Sequence, residues 1–239
     1  MSANWNLVAD IGGTNARFAA LLDDGSLESP YEFHHSVEQY PQFADLLDGL
    51  LGEIAEATGW VNPPTNVCFA VACPADSEDI SFTNSHWQFS KTQLKQLLSC
   101  DNLSVINDFE AVAHGITELD DSDLVKVGGS EAVSTKPIAI LGAGTGLGVA
   151  GLVRHANGYH VIDTEGGHAD FAPLDEVQHA VVERLRVIYG RVCLERLLSG
   201  KGILNIYTAL CSIQGTVGRF TDPAEVVAAA LESSDEKAS

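Results

Sequence analysis

Two glycine-rich turns carry the first candidate chemistry in this chain: Asp10-Ile11-Gly12-Gly13-Thr14-Asn15 and Gly142-Ala143-Gly144-Thr145-Gly146, each after a short apolar run. Glycine puts no Cβ between the backbone N–H groups and an approaching anion, so such turns can cradle phosphate oxygens. Thr14 and Thr145 each add a hydroxyl. Asp10, at the end of its apolar run, is suited to hold Mg²⁺ through water, while Arg17 could add charge or pair with a surface carboxylate. Alone, the first turn could be a tight hairpin. Two copies facing each other would make a double cradle for a polyphosphate, which points to phosphoryl transfer. Asp108 follows the apolar Val105-Ile106 and precedes a helix-like stretch. A carboxylate at the C-terminal end of a strand projects into the cleft of an α/β sheet, and a helix N-cap is the alternative reading. Glu165-Gly166-Gly167-His168 sets a carboxylate and an imidazole three apart on a glycine-rich loop, with no evident third ligand to make it a zinc site.

Both turns belong to the same local plan. Residues 7–33 read as strand, turn, second apolar run, Asp24-Gly25 and a third run; residues 138–162 repeat the plan with Asn157-Gly158. Asp-Gly and Asn-Gly between apolar runs are strong hairpin signals, because both residues accept the positive φ of a type I′ turn. Phe43, Leu46, Leu47, Leu50, Leu51 and Ile54 predict a helix within residues 40–57. Pro63-Pro64 precedes an apolar run at 66–73 that reads as a buried parallel strand. Residues 91–98 follow as an amphipathic helix capped by Ser90, and residues 103–106 as a strand. Further on, 174–189, 194–198 and 203–213 look helical, with Gly200-Lys201-Gly202 between the last two, and Asp222-Pro223-Ala224-Glu225 starts one more helix. From Ser233 the chain is polar and expected to fray. Gly146-x-Gly148-x-x-Gly151, with Glu165 beyond it, matches a dinucleotide fingerprint. That fingerprint needs a helix after the glycines, and here the pattern is a hairpin. No G-x-x-x-x-G-K-[ST] segment occurs.

Composition bounds the partners. Thirteen Lys and Arg stand against 33 Asp and Glu, a net charge of −20. That opposes nucleic-acid and anionic-membrane partners, which need a basic footprint. Any positive potential at a bound phosphate must then be local, from Mg²⁺ and oriented N–H groups. Five scattered cysteines without a C-x-x-C pair support neither a zinc knuckle nor a disulfide framework. With no leader-like start and no long apolar run, the expectation is a cytoplasmic protein.

The motifs together resemble one family. Val8-Ala9-Asp10-Ile11-Gly12-Gly13-Thr14-Asn15-Ala16-Arg17, Thr83-Asn84-Ser85-His86-Trp87 and Ile106-Asn107-Asp108-Phe109 are followed in order by Gly142-Ala143-Gly144-Thr145-Gly146-Leu147-Gly148. Glu165-Gly166-Gly167-His168-Ala169-Asp170-Phe171-Ala172-Pro173 and Glu195-Arg196-Leu197-Leu198-Ser199-Gly200 complete the set. This series is similar to the bacterial ATP-dependent, non-ROK glucokinases of the hexokinase and actin-like ATPase superfamily. The resemblance implies an α/β protein of two ribonuclease-H-like units, each opening with an antiparallel three-strand meander on a mixed sheet. Residues 1–110 would carry the first phosphate turn and the base, and residues 111–239 the second turn and most sugar ligands. It implies Asp108 as the catalytic base, and Asn107, Thr83, Asn84, Glu165, His168 and Glu195 as sugar ligands. The nucleotide would lie against Asp10, Gly12, Gly13, Thr14, Asn15, Gly142, Gly144, Thr145 and Gly146. The implied partners are glucose, ATP and Mg²⁺; a homodimer stays open. The family runs on past the point matched by residue 239, so the expectation is a chain short of the family's C-terminal segment. Two other readings stay open at this stage: a sugar-binding sensor or inactive fragment, and an NAD-dependent oxidoreductase.

Overall fold

The computed structural model describes residues 3–23, 30–82, 85–131, 133, 135–156 and 158–232. In the first part of the chain, β1 (Trp5–Ile11) alternates buried and open positions, sending Trp5, Leu7, Ala9 and Ile11 to one face. It pairs antiparallel with β2 (Asn15–Leu22), which pairs antiparallel with β3 (Tyr31–Ser36). Asp24-Gly25, predicted to turn the chain there, lies outside the described residues. A 3₁₀ turn, Val37–Gln39, leads to α1 (Phe43–Thr58), which buries Phe43, Leu46, Leu47, Leu50 and Ile54 and stops at Gly59 in the left-handed region.

β4 (Asn66–Val71) runs parallel to β1, as its continuous apolar sequence predicts, and β7 (Asn102–Asn107) runs parallel to β4. Between them lie a short hairpin, β5 (Asp79–Ser81) and β6 (Gln88–Ser90), which the sequence pattern did not predict, and α2 (Lys91–Leu98). Ser90 caps α2 as expected, its Oγ accepting the Gln93 N–H at 3.3 Å. The sheet order is β3-β2-β1-β4-β7. One core joins its inner face to α1 and α2 around Phe18, Phe43, Phe69, Trp87 and Phe89. α3 (Asp108–Ile116) follows β7 directly and packs on β4 and β7.

In the second part, β8 (Ile138–Ala143), β9 (Leu147–His155) and β10 (Gly158–Thr164) form an antiparallel sheet in the order β10-β9-β8. Gly158 takes φ +135°, which glycine tolerates where other residues strain; Asn157 is outside the described residues. After Gly146 the chain is a strand rather than a helix, so the apparent dinucleotide fingerprint is a hairpin and lacks the helix N-terminus that a pyrophosphate needs. α4 (Glu176–Tyr189) is capped by Asp175. Residues 194–198 were predicted helical, yet only Leu194–Arg196 close a 3₁₀ turn. α5 (Gly200–Ile213) corrects a second expectation: Gly200-Lys201-Gly202 does not separate two helices but forms the first turn of one. Ser199 makes this possible, its Oγ accepting the Gly202 N–H at 3.0 Å. α6 (Pro223–Leu231) starts where Asp222-Pro223 predicts, with the Asp222 carboxylate on the Ala224 N–H.

Contacts divide the chain into Met1–Leu124 and Val125–Ser239. No helix among the described residues is long and apolar enough to cross a membrane.

Candidate active site

In the first unit the cluster grows from the carboxyl ends of three parallel strands. Ile11 pairs with Val71 and Val71 with Asn107, so β1, β4 and β7 end side by side. Asp10 leaves β1 on the face away from the core, opposite Arg17 on β2. Their charged groups are 3.8 Å apart and well exposed, a pair that contributes little to stability but holds the guanidinium beside the first turn. In that turn the Gly12 N–H donates to the Asn15 carbonyl at 2.9 Å. Gly12 takes no positive φ, and a Cβ there would come no nearer than 3.5 Å to any neighbour. The fold does not require glycine at this position, which suits a turn kept open for something to approach.

Asn107, rather than Asp108, caps α3. Its side-chain oxygen accepts the N–H groups of Phe109 (2.8 Å) and Glu110 (3.4 Å), while its amide donates to the Cys73 carbonyl at 3.4 Å. One amide hydrogen stays available to a ligand. Asp108 is thereby released from capping duty and is the first residue of the helix, with one carboxylate oxygen on the Phe109 N–H at 2.9 Å. Burial raises the pKa of Asp108 above the ordinary carboxylate value; the Phe109 N–H opposes this, and the negative charge of Asp10 adds to it. The nearby Cys73 thiol is pushed up to about 11, first by burial and then by Asp108. Burial and the Asp108 charge together favour the protonated, unreactive thiol of Cys73. Thr83 and Asn84 lie outside the described residues. Trp87, a little further along the chain, is buried, its indole N–H on the Tyr40 carbonyl at 3.0 Å.

In the second unit, β8 and β9 run further into the glycine-rich segment than predicted. Gly142 pairs with Gly148 and Ala143 with Leu147, leaving Gly144-Thr145-Gly146 as the turn, closed by the Gly144 N–H on the Gly146 carbonyl at 2.9 Å. Thr145 is exposed. Gly144, like Gly12, has no positive φ, and a Cβ there would meet no neighbour within 4 Å. Glu165 and His168 sit around a 3₁₀ turn, Gly166–His168, with the Glu165 carboxylate 3.8 Å from His168 Nε2. Backbone bonds stitch the following segment to the one before Glu195: Phe171 N–H to Val192 at 3.1 Å and Leu194 N–H to Ala169 at 2.9 Å. This staple brings Glu195 Oε1 to 4.0 Å from His168 Nδ1, joining the Glu165–His168 loop to a residue remote from it in sequence.

Two residues around His168 escaped the sequence reading. Cys193 Sγ lies 3.8 Å from His168 Nδ1, and Arg191 holds both the His168 carbonyl, at 3.0 Å, and the Asp170 carboxylate. No spacing rule signals either, because the bridge between Asp170 and Cys193 forms only in the folded chain. Among the described residues no group of three or more His, Cys, Asp or Glu is arranged to hold a metal ion.

The mixed α/β framework is that of the sugar kinases. The glucokinase family model matches residues 7–239, and the chain belongs to the glucokinase family. A glucokinase of Hahella chejuensis is 41% identical over 238 residues, covering 98% of this chain and 70% of that relative. The crystal structure of a glucokinase from an Antarctic psychrotroph is 32% identical with a TM-score of 0.78, covering 98% of this chain and 73% of that one. A Balamuthia mandrillaris glucokinase solved in complex with glucose has a TM-score of 0.80 at 20% identity, covering 99% of this chain and 71% of that one, a likeness of fold.

Proposed function

We propose that this chain is an ATP-dependent glucokinase that transfers the γ-phosphoryl group of ATP to the 6-hydroxyl of glucose. The observation that carries the chemistry is Asp108, a carboxylate at the end of β7 with its pKa raised by burial and by Asp10. Phosphoryl transfer needs an in-line hydroxyl, an acceptor for its proton and neutralisation of charge. The Asp108 carboxylate takes the proton of the 6-hydroxyl while that oxygen bonds to the γ-phosphorus and the bond to the bridging oxygen of ADP breaks. Asn107, with Glu165, His168 and Glu195, binds the remaining hydroxyls, and Thr83 and Asn84 join them. Carboxylates accept from vicinal hydroxyls and an imidazole both donates and accepts, so a sugar with one hydroxyl inverted leaves a polar group unmatched.

The phosphates lie against Gly12, Gly13, Thr14 and Asn15 of the first turn and Gly142, Gly144, Thr145 and Gly146 of the second. Mg²⁺ keeps most of its waters and takes one or two carboxylates beside phosphate oxygens. The exposed Asp10 carboxylate suits that role through water, with the ion supplying charge neutralisation. On this reading both units are ribonuclease-H-like. The order β3-β2-β1-β4-β7, with its meander and parallel strands, supports this for the first unit, and the three-strand meander supports it for the second.

The test is ADP release by the purified chain with Mg-ATP, with and without glucose. Glucose-dependent release is the expected result. A folded chain that binds glucose yet releases no ADP would instead be a sugar-binding protein.

A further inference from the structure

We propose that Glu195 is a strut between the sugar loop and the second phosphate turn, through which glucose and nucleotide tighten each other's binding. This rests on the glucokinase reading and adds the coupling between its two substrates. The Glu195 carboxylate does two things at once. Its Oε2 accepts the Leu147 N–H at 3.1 Å, at the end of the turn, while Oε1 faces His168 Nδ1 at 4.0 Å. The carboxylate lies so close to the turn that a Cβ on Gly146 would come within 2.5 Å of Oε2. Glycine at 146 is therefore explained by Glu195, whereas Gly12 and Gly144 have no such neighbour.

The backbone around Glu195 grips the same turn. The Glu195 carbonyl accepts the Ser199 hydroxyl at 2.8 Å, and that hydroxyl caps α5. The next residue, Gly200, donates its N–H to the Gly144 carbonyl at 2.8 Å. From the other side the sugar loop presses on Leu147: a Cβ on Gly167 would lie 2.1 Å from the Leu147 carbonyl oxygen. The N–H of Leu147 is thus held by Glu195, and its carbonyl is packed against the backbone of the Glu165–His168 loop. A sugar hydroxyl donating to Oε1 fixes the carboxylate, keeps Oε2 on the Leu147 N–H and orders the turn before phosphate arrives. Linkage requires the converse, with nucleotide tightening the sugar by the same factor, roughly tenfold for couplings of this kind.

Two cross-measurements test the strut. The methyl of Gly146→Ala meets the far end of a flexible side chain rather than backbone, so it displaces the Glu195 carboxylate without colliding with the backbone of the turn. A change in the phosphate turn should then weaken glucose binding measured without nucleotide, with Kd rising roughly five- to tenfold. In the other direction, Glu195→Ala should weaken ADP binding measured without glucose, while Glu195→Gln, which keeps an acceptor for Leu147, should stay close to wild type. If Gly146→Ala lowers the melting temperature, the two Glu195 variants decide the matter. An unchanged glucose Kd in a well-folded Gly146→Ala overturns the proposal. So does ADP binding in Glu195→Ala as tight as wild type or tighter, which would make the carboxylate a mere repeller of phosphate. Failure of the glucokinase reading looks different, since the wild-type chain would then release no ADP in response to glucose.

Discussion

Burial and the Asp10 charge both press Asp108 towards its neutral form, while the Phe109 N–H favours the charged one, and the balance is a raised pKa. A general base works best with a pKa close to the working pH, so the shift is in the useful direction. Turnover needs the carboxylate and should fall as pH drops through the raised value, placing the acid limb of the rate profile above the ordinary aspartate value. Asp10→Asn removes one cause of the shift and should move that limb to lower pH; a limb that stays put would remove Asp10 from the account. Stability responds with the opposite sign. The folded chain holds this proton more tightly than the unfolded chain, so the contribution is full below the unfolded pKa and is lost as pH rises through the folded one. Asp108→Asn should cut kcat by about 10²–10⁴, the usual size of general-base assistance, with a modest change in the glucose KM. Turnover near wild type in that variant would mean that another group takes the proton.

At the scale of elements, glycines separate packing from chemistry. Gly167 is buried, and any side chain there would collide with the backbone oxygen of Leu147. Backbone cannot step aside as a side-chain end can, so Gly167→Ala should destabilise the chain by about 1–3 kcal/mol, typical of overpacking. Gly49, on the exposed side of α1 with nothing within 4 Å of a Cβ, is the contrast: Gly49→Ala should stabilise by about 0.5–1 kcal/mol. Urea unfolding of both variants checks the pair, and equal effects would refute the packing assignment. The same scale explains what could be read ahead of the structure. The apolar run at Leu7-Val8-Ala9, the apolar spacing of α1, the Ser90 cap and the helix start at Asp222-Pro223 are local, and each element stood where its pattern predicted. Of the features the pattern missed, two turn on which residue takes a local cap and the third on partners distant in the chain. Ser199 turned a supposed glycine break into the first turn of α5, and Asn107 took the cap that Asp108 could have held. Glu195 looks like an ordinary surface helix residue until the staple between residues 169–171 and 192–194 brings it to His168.

At the scale of the whole molecule, a chain of net charge −20 has to attract a polyanionic nucleotide. Long-range repulsion by that charge competes with short-range attraction from N–H groups and Mg²⁺, and the two respond differently to salt. The Debye length falls from about 30 Å at 0.01 M to about 8 Å at 0.15 M. Raising the salt over that range screens most of the acidic surface from an approaching nucleotide. Contacts within a few ångströms, far shorter than the Debye length, are screened much less. With Mg²⁺ held in excess, the KM for ATP should therefore fall as salt is added. Glucose carries no charge, so its KM should hold steady in the same series and serve as the internal control. Initial rates across the salt range measure both. A KM for ATP that climbs with salt would mean that local positive potential dominates the approach of the nucleotide, and that the acidic surface has no part in it.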